Sequence, residues 1–290
     1  MRISPAAQIA AAMVLTGSTG TAQALGPDGS SPLSVGVLRM ALGGPVLLLV
    51  AIVVTKKRPT FFGWPLVVAG VATAAYQPLF FAGAEQTGVA VGTVVTMGSA
   101  PIFAGLLGWL VYTEKLDFRW VLTTAVALFG GVLLVGGNGF SAMDYGGVAA
   151  AVGAGLSYAV FIVATRRLFQ DHAPLLVVGA ALSLSAVLLL PIGLMADYSW
   201  VASPAGLSVV LYLGLVATGL AFAIYSYGAE RLLVADTAVM SLVEPMVAFL
   251  LGVLLLHEAL TFQGAVGGVI LAGALLALAT QSGQRPGIEV

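Results

Sequence analysis

One acidic residue followed by a proline lies inside an apolar stretch near the end of the chain, VEPMVAFLLGVLLLHE from Val243. Glu244 lies about eight residues into the predicted helix, or about 12 Å at 1.5 Å per residue, near the middle of a bilayer. An ionisable group at that depth costs about 3 kcal/mol or more and marks a functional position by default. Glu244 could bind a substrate ammonium or carry a proton. The alternative is that it accepts hydrogen bonds from backbone groups freed by proline kinks.

Proline occupies corresponding places in two apolar segments, at Pro101 and Pro245. Because proline has no amide hydrogen, the carbonyls of Met97 and Ser241 are predicted to lose their helical partners, and the helices to bend. In lipid such carbonyls should face protein or water. We interpret Pro101 and Pro245 as hinges that border a cavity, with simple packing kinks as the alternative.

Aromatic and polar side chains recur at helical spacing in three further segments, which predicts shared faces. A largely apolar pocket with a few convergent polar groups is typical of small-solute sites. The alternative for the aromatic residues is packing or an interfacial belt. The predicted substrate-binding residues are Tyr76, Gln77, Phe80, Met97, Tyr158, Phe161, Phe222, Tyr225 and Glu244.

Arg39 lies in the second apolar segment, near its predicted outer end. The simplest interpretation is a side chain that snorkels to the headgroups. The alternative pairs Arg39 with Glu85 or Glu258 as an outer gate, and we retain Arg39 and Glu85 as a predicted gate or ion pair. Glu114 and Glu258, which end two predicted helices, are interpreted as caps and anchors of the bundle rather than ligand groups.

The elements that must position these residues are membrane helices, because the 290-residue chain is 60% hydrophobic and 8% charged, with a mean hydropathy of +1.07. Soluble domains usually carry about 25% charge. The chain has no cysteine, and neither His172 nor His257 lies in a metal-ligand spacing. We therefore expect no metal and no cofactor, and because no basic tract is long, we expect no nucleic acid. The expected partners are a small-molecule substrate and the lipid bilayer, and a monomer is compatible with the sequence.

Ten stretches are long and apolar enough to cross a bilayer, since a crossing takes about 20 residues. The predicted helices cover 6–25, 34–54, 63–83, 88–112, 118–136, 146–165, 174–195, 207–228, 236–256 and 263–281. Short loops rich in Lys and Arg remain in the cytoplasm, and placing both termini there puts every Lys and Arg except Arg39 on that side. An alternative for the first stretch is a cleaved signal peptide ending near Ala22-Gln23-Ala24, although the repeat described next requires this helix.

The two halves of the chain repeat each other. Gly83-Ala84-Glu85 matches Gly228-Ala229-Glu230, and Pro101, Gly108 and Glu114 match Pro245, Gly252 and Glu258 after a one-residue slip. Each copy holds five predicted helices, so the second copy enters the membrane from the opposite side. Inverted repeats are typical of secondary transporters, whose site lies near the midplane. We divide the chain into a first five-helix repeat at 1–138 and a second, inverted one at 139–290.

The sequence resembles a known family in the paired segments that end in YTEKL and LLHEAL, in Arg39 of VLRMALGGPVLLLV, in TGSTG of the first helix and in the Glu-Pro of the ninth. These features are similar to the two EamA domains of the drug/metabolite transporter superfamily, and among its members to the YddG-type amino-acid exporters. The resemblance implies a ten-helix carrier of the bacterial inner membrane, with a central cavity between its halves. Thr16 departs from the pattern, where a Trp is frequent.

The sequence therefore predicts an all-α membrane protein that is not an enzyme and that exports small metabolites by alternating access. Amino acids, including aromatic ones, are the predicted substrates. The alternatives are a broad drug or nucleotide-sugar exporter of the same superfamily, and a channel, which would call for polar rings along one path.

Overall fold

The protein is described here by a computed structural model that covers residues 3–60, 63–135 and 144–282, and the regular elements within these ranges are all helices. Its α-helices are α1 Pro5–Gly17, α2 Thr19–Ala24, α3 Pro32–Thr55, α4 Trp64–Thr87, α5 Val89–Tyr112, α6 Phe118–Val135, α7 Tyr145–Phe169, α8 Pro174–Gly193, α9 Pro204–Leu211, α10 Ala221–Ala229, α11 Val234–Met240, α12 Val243–Leu255 and α13 Phe262–Ser282. A 3₁₀ turn covers Ser199–Ala202, and a π-helical segment, Tyr212–Leu220, joins α9 to α10.

Eight helices within the described ranges are long and apolar enough to cross a membrane by length and composition: Pro32–Thr55, Trp64–Thr87, Val91–Tyr112, Tyr145–Phe169, Pro174–Gly193, Pro204–Ala229, Val234–Leu255 and Phe262–Gln281. Phe118–Leu134 is a shorter apolar helix. Large apolar side chains such as Val53, 74% exposed, and Leu254, 66% exposed, cover the outside of the bundle. Such a surface suits lipid. The all-α membrane class is therefore confirmed. The predicted division between residues 138 and 139 lies outside the described residues.

The prediction of one continuous helix over residues 6–25 is wrong, because the chain breaks at Ser18 between α1 and α2. The backbone N–H and the hydroxyl of Ser18 both donate to the carbonyl of Leu15, at 3.3 and 2.6 Å. These bonds tighten the last turn of α1, as serine side chains do when they compete with the helical ladder. The Ser18 hydroxyl also lies 2.8 Å from the Tyr212 hydroxyl at the start of the π-helical segment.

The interpretation of Pro245 also needs correction. The carbonyl of Ser241 is not left without a partner, since it accepts the N–H of Glu244 at 3.0 Å. The helix stops at Ser241 and restarts at Val243, so Pro245 falls in the first turn of α12, where a missing amide hydrogen removes no helical bond. Pro101, by contrast, lies inside the continuous helix α5.

The ends of the helices gather on two faces of the bundle. The basic face carries the connections at 56–60, 113–117, 170–173 and 230–233. Arg166 contacts Glu114 and the Leu232 carbonyl there, and Lys57, Arg58 and His172 line one surface pocket. The opposite face carries the connections at 25–31 and 194–203, linked by a 3.1 Å hydrogen bond from the Trp200 indole to the Ser34 hydroxyl. The clustering of cations on one face is the pattern from which the sequence predicts a cytoplasmic side.

Glycine allows a close helix crossing between α6 and α13. A Cβ atom built on Gly267 would lie 2.3 Å from the backbone nitrogen of Leu134 and 2.7 Å from the carbonyl oxygen of Gly130. Small residues that bring backbones together in this way are the usual basis of helix association in membranes, where lipid tails are as apolar as side chains.

We expect Gly267→Ala to destabilise the protein, because a methyl group there must push two backbones apart. Overpacking of this kind costs about 1–3 kcal/mol. Gly273→Ala on the same helix is the matched control, since a Cβ there meets nothing within 4 Å. Thermal unfolding of the detergent-solubilised protein should show a lower midpoint for Gly267→Ala alone, and equal midpoints for the two variants would contradict this account of the crossing.

Candidate functional site

A cavity of about 430 Å³ extends from the middle of the bundle to the opposite face. Its lining lies in the part of each helix that is nearest that face: Thr19, Gly20 and Gln23 of α2, Pro32 to Met40 of α3, and Ala72 to Ala84 of α4. The cavity ends at Ser157, Tyr158 and Phe161 of α7, Phe222 of α10, and the break between α11 and α12. It is therefore a one-sided pocket whose mouth lies away from the basic face.

Two opposite charges lie on the wall of this cavity, Glu244 and Arg39. Thr16 donates its hydroxyl to Oε2 of Glu244 at 3.2 Å, while Nε of Arg39 donates to the Thr218 hydroxyl at 3.0 Å. Nη1 of Arg39 also reaches the Thr19 hydroxyl at 3.5 Å. The two charges interact electrostatically but are not among the ion pairs within 4.0 Å that the described residues form. Each charge is thus held by neutral hydroxyls and keeps capacity for a ligand.

The break in the ninth predicted helix explains why a carboxylate and a proline stand together. Glu244 and Pro245 occupy the first turn of α12, where negative charge is favoured by the helix dipole and proline is tolerated. The first turn of a half-helix thus presents Glu244 to the cavity, where its side chain is partly exposed. Non-helical backbone at membrane depth is tolerated where it lines a cavity of this kind.

Aromatic rings form a continuous wall from α4 to α10. Tyr76 stacks on Phe80 at 5.8 Å between centroids, Tyr76 and Tyr158 lie 6.3 Å apart, and Phe161 contacts Tyr158 at 6.4 Å and Phe222 at 6.2 Å. The wall gives the cavity an apolar side beside its two charges. Aromatic pairs at these distances add about 0.5–1.5 kcal/mol each beyond area burial.

Eight of the nine predicted substrate-binding residues line this cavity, and Tyr225 does not. The Tyr225 ring is 1% exposed and lies behind the wall, 6.1 Å from Phe161 and 5.5 Å from Phe222. Gln77 is buried against Gly36 of α3, where a Cβ atom would lie 3.0 Å from its Oε1. Met97 lines the cavity.

Of the predicted hinge and gate residues, only some line the cavity. Pro245 lines the cavity, whereas Pro101, one turn beyond Met97 on α5, does not. The structure does not bring Arg39 and Glu85 together, because Arg39 faces Thr218 and Thr19 while Glu85 is exposed near the end of α4. Arg39 lines the cavity.

Sequence reasoning missed the hydroxyls that hold the two charges. Thr16, Thr19, Gly20 and Gln23 follow the spacing i, i+3, i+4 and i+7, which places them on one helix face and could have identified it. Thr218 had no such signal, because it meets Arg39 only through the π-helical segment. Segments of this kind are frequent at functional sites.

The described residues contain no group of three or more His, Cys, Asp or Glu side chains that could hold a metal ion. A polytopic helical bundle with one charged and aromatic cavity at membrane depth is the architecture of a membrane transport protein.

The sequence model of the EamA-like transporter family matches residues 4–136 and 145–280, and the chain belongs to this family. The chain is 36% identical over 263 residues to the uncharacterised transporter YwfM of Bacillus subtilis (strain 168), covering 90% of this chain and 89% of that protein. It is 28% identical over 268 residues to the threonine/homoserine exporter RhtA of Escherichia coli (strain K12), covering 90% and 86%. These findings confirm the predicted EamA family and the transporter class.

A solved crystal structure of a protein with 24% sequence identity shares the fold, with a TM-score of 0.81 over 97% of this chain and 99% of the other. The narrower likeness to the YddG-type exporters stays a prediction.

A hydrogen bond at the floor of the cavity generates a test of local stability. The Ser241 hydroxyl donates to the Thr237 carbonyl at 3.0 Å and lies 2.5 Å from the Tyr158 hydroxyl, so Tyr158 is the donor to Ser241. We expect Ser241→Ala to destabilise more than Tyr158→Phe, because alanine leaves the Tyr158 hydroxyl without this acceptor. An unsatisfied buried group costs about 1–3 kcal/mol, against about 1 kcal/mol for a lost bond. Unfolding midpoints in detergent measure the order, and a reversed order would refute the assignment.

Proposed function

We propose that the protein is a secondary carrier of the bacterial inner membrane that exports a small α-amino acid by exposing its cavity to each side in turn. The observation that carries the proposal is the pair of opposite charges, Glu244 and Arg39, on one cavity wall beside an aromatic surface. An α-amino acid carries an ammonium and a carboxylate next to a variable side chain. Glu244 would bind the ammonium, Arg39 the carboxylate, and the rings the side chain.

The size of the cavity and the relatives support this substrate class. A volume of about 430 Å³ falls within the range of about 300–1,000 Å³ that is usual for small-molecule sites. A relative over 90% of the chain is a threonine/homoserine exporter. A broad drug exporter is the alternative that the aromatic wall favours, because planar apolar solutes stack on such rings.

The proposed topology has ten spans in two inverted five-helix repeats, with both termini in the cytoplasm. It counts α1 with α2 as one span of Pro5–Ala24 and α6 as another. The family model supports two units, since it matches the chain twice. The cations of the basic face support the orientation.

Counterflow in proteoliposomes tests the substrate class. Proteoliposomes that contain the purified protein are loaded with unlabelled threonine, homoserine, leucine or phenylalanine, and the same amino acid is added outside in labelled form. For at least one of the four, the proteoliposomes should accumulate the label in a saturable manner. The N-acetyl and methyl-ester derivatives of that amino acid, which each lack one charge, should exchange much more slowly. Liposomes without protein give the background, and equal exchange of the derivatives would contradict binding by the two charges.

Glu244→Gln should lower exchange of the transported amino acid by about tenfold or more, because the neutral amide cannot pair with the ammonium. Hydrogen bonds to charged groups contribute about 1.5–3 kcal/mol, which corresponds to about ten- to a hundredfold. Glu230→Gln is the matched control and should exchange as the parent does. Glu230 is an acid on the basic face, and its Oε2 lies 3.9 Å from Nε of Arg231. A parental rate and pH dependence in Glu244→Gln would exclude a role for this carboxylate.

Arg39 provides a second test through the geometry of its side chain. Arg39→Lys keeps the charge but loses the planar group that reaches both Thr218 and Thr19. We expect Arg39→Lys to retain part of the exchange and Arg39→Gln to lose it, with the Michaelis constant for the amino acid rising in both. Equal activity of the lysine and glutamine variants would show that the charge does not contact the substrate.

A further inference from the structure

A second buried ionic cluster lies at the basic face, far from the cavity mouth. Glu114, which follows α5, is 5% exposed and accepts the backbone N–H of Val234 at 3.0 Å. Nε of Arg166 lies 3.6 Å from the same carboxylate oxygen. Arg166 also donates to the Leu232 carbonyl and lies over the Tyr112 ring, 5.6 Å from its centroid. We call Glu114, Arg166 and the backbone of Leu232 and Val234 the basic-face latch.

The basic-face latch joins elements from both halves of the chain. Glu114 follows the end of α5 in the first half, while Arg166 lies in the last turn of α7 and Val234 begins α11 in the second. The Tyr112 hydroxyl reinforces this junction, since it donates to the Val163 carbonyl at 2.7 Å. The bundle is therefore tied shut at the end where no lining residue of the cavity lies. Burial raises the pKa of Glu114.

The counterpart of Glu114 in the second half is Glu258, and the two share their local geometry. Thr113 and His257, which precede them, have φ of 54° and 56°. The N–H of Glu114 donates to the Gly108 carbonyl at 3.2 Å, and that of Glu258 to the Gly252 carbonyl at 3.1 Å.

Each carboxylate also folds back over its glycine, where a Cβ atom would lie 2.5 Å from Oε2 of Glu114 and 2.6 Å from Oε2 of Glu258. Yet Glu258 is exposed, and the ion pairs within the described ranges do not include it. Two equivalent acids thus adopt one local structure but only Glu114 bridges the halves.

The difference in burial between Glu114 and Glu258 matches the position of the cavity, which opens on one face of the bundle only. The latch is formed at the closed basic face, whereas Glu258 is exposed after α12, which leads from the cavity to the open face. In the repeat, Val89 at the start of α5 corresponds to Val234 at the start of α11. The backbone N–H of Val89 is therefore the repeat-equivalent donor for Glu258.

We propose that the basic-face latch holds the carrier open to the opposite face, and that Glu258 closes the opposite face in the other state by binding the backbone at the start of α5. The proposal rests on the alternating exposure proposed above. Opening the basic face then requires Glu114 to leave Val234 and Arg166, and the engagement of Glu258 offsets that loss. The two acids form one switch because each face closes only when the other opens.

The absence of cysteine from the chain makes the switch measurable by thiol labelling. Ser157→Cys places a single thiol on the cavity lining, near the middle of α7. A membrane-impermeant methanethiosulfonate reagent, applied to right-side-out and to inside-out vesicles, gives the labelling rate from each face. In the Ser157→Cys parent we expect faster labelling from the opposite face than from the basic face.

Adding Glu114→Gln should lower the ratio of opposite-face to basic-face labelling by about tenfold, because the amide still accepts from Val234 but no longer pairs with Arg166. Glu258→Gln should leave the ratio equal to the parent's or raise it. Glu230→Gln is the matched control, since it removes an acid from the same basic face without touching the latch.

A ratio in Glu114→Gln equal to that in Glu230→Gln would overturn the latch, and a fall in Glu258→Gln would overturn the pairing of the two acids. Should Glu114→Gln fail to fold, Arg166→Gln leaves the Glu114 to Val234 bond in place and must lower the ratio in the same direction. Labelling needs no substrate, so an unchanged ratio refutes the latch while leaving the amino-acid proposal to the counterflow experiment.

Discussion

Two opposite charges inside an apolar bundle need polar partners, because hydrocarbon provides none and an unpaired charge there is expensive. In this protein the partners are threonine hydroxyls: Thr16 for Glu244, and Thr218 with Thr19 for Arg39. These side chains come from separate helices, so the charges can be accommodated only where those helices converge. The cavity lies where these helices converge.

The irregular backbone of the fold follows from the same constraint. The breaks at Ser18 and Ser241 and the π-helical segment all interrupt apolar helices beside the cavity. At each break a serine hydroxyl satisfies a carbonyl, Leu15 in one case and Thr237 in the other. Half-helix ends that face the substrate are typical of secondary carriers. The cost of the two breaks is tolerable because they line the cavity, through Gly17 and Thr19 beside Ser18 and through Ser241.

The sequence predicts the long spans and most of the cavity wall, because apolar length and helical spacing are local properties that one segment reveals alone. Tyr76 and Tyr158 could be placed on inward faces for that reason. The partner of Arg39 could not, since Thr218 is 179 residues away and reaches it through a π-helical segment without a sequence signature. Helical spacing pairs Tyr225 with Phe222, yet Tyr225 lies behind the wall, because spacing along one helix does not show which of two neighbouring rings meets the cavity.

The different burial of repeat-equivalent residues bears on the free energies of the two closed states. Glu114 and Glu258 have the same helix-end geometry, yet one is buried between the halves and the other is exposed. On the proposed mechanism, a chain made of two similar units closes at either end with comparable contacts, so the two closures should differ little in free energy. Packed interfaces of this kind have discrete arrangements rather than a continuum. On the proposed mechanism, a substrate needs only a modest differential affinity to bias the choice, since it acts on an equilibrium that the repeat already keeps near balance.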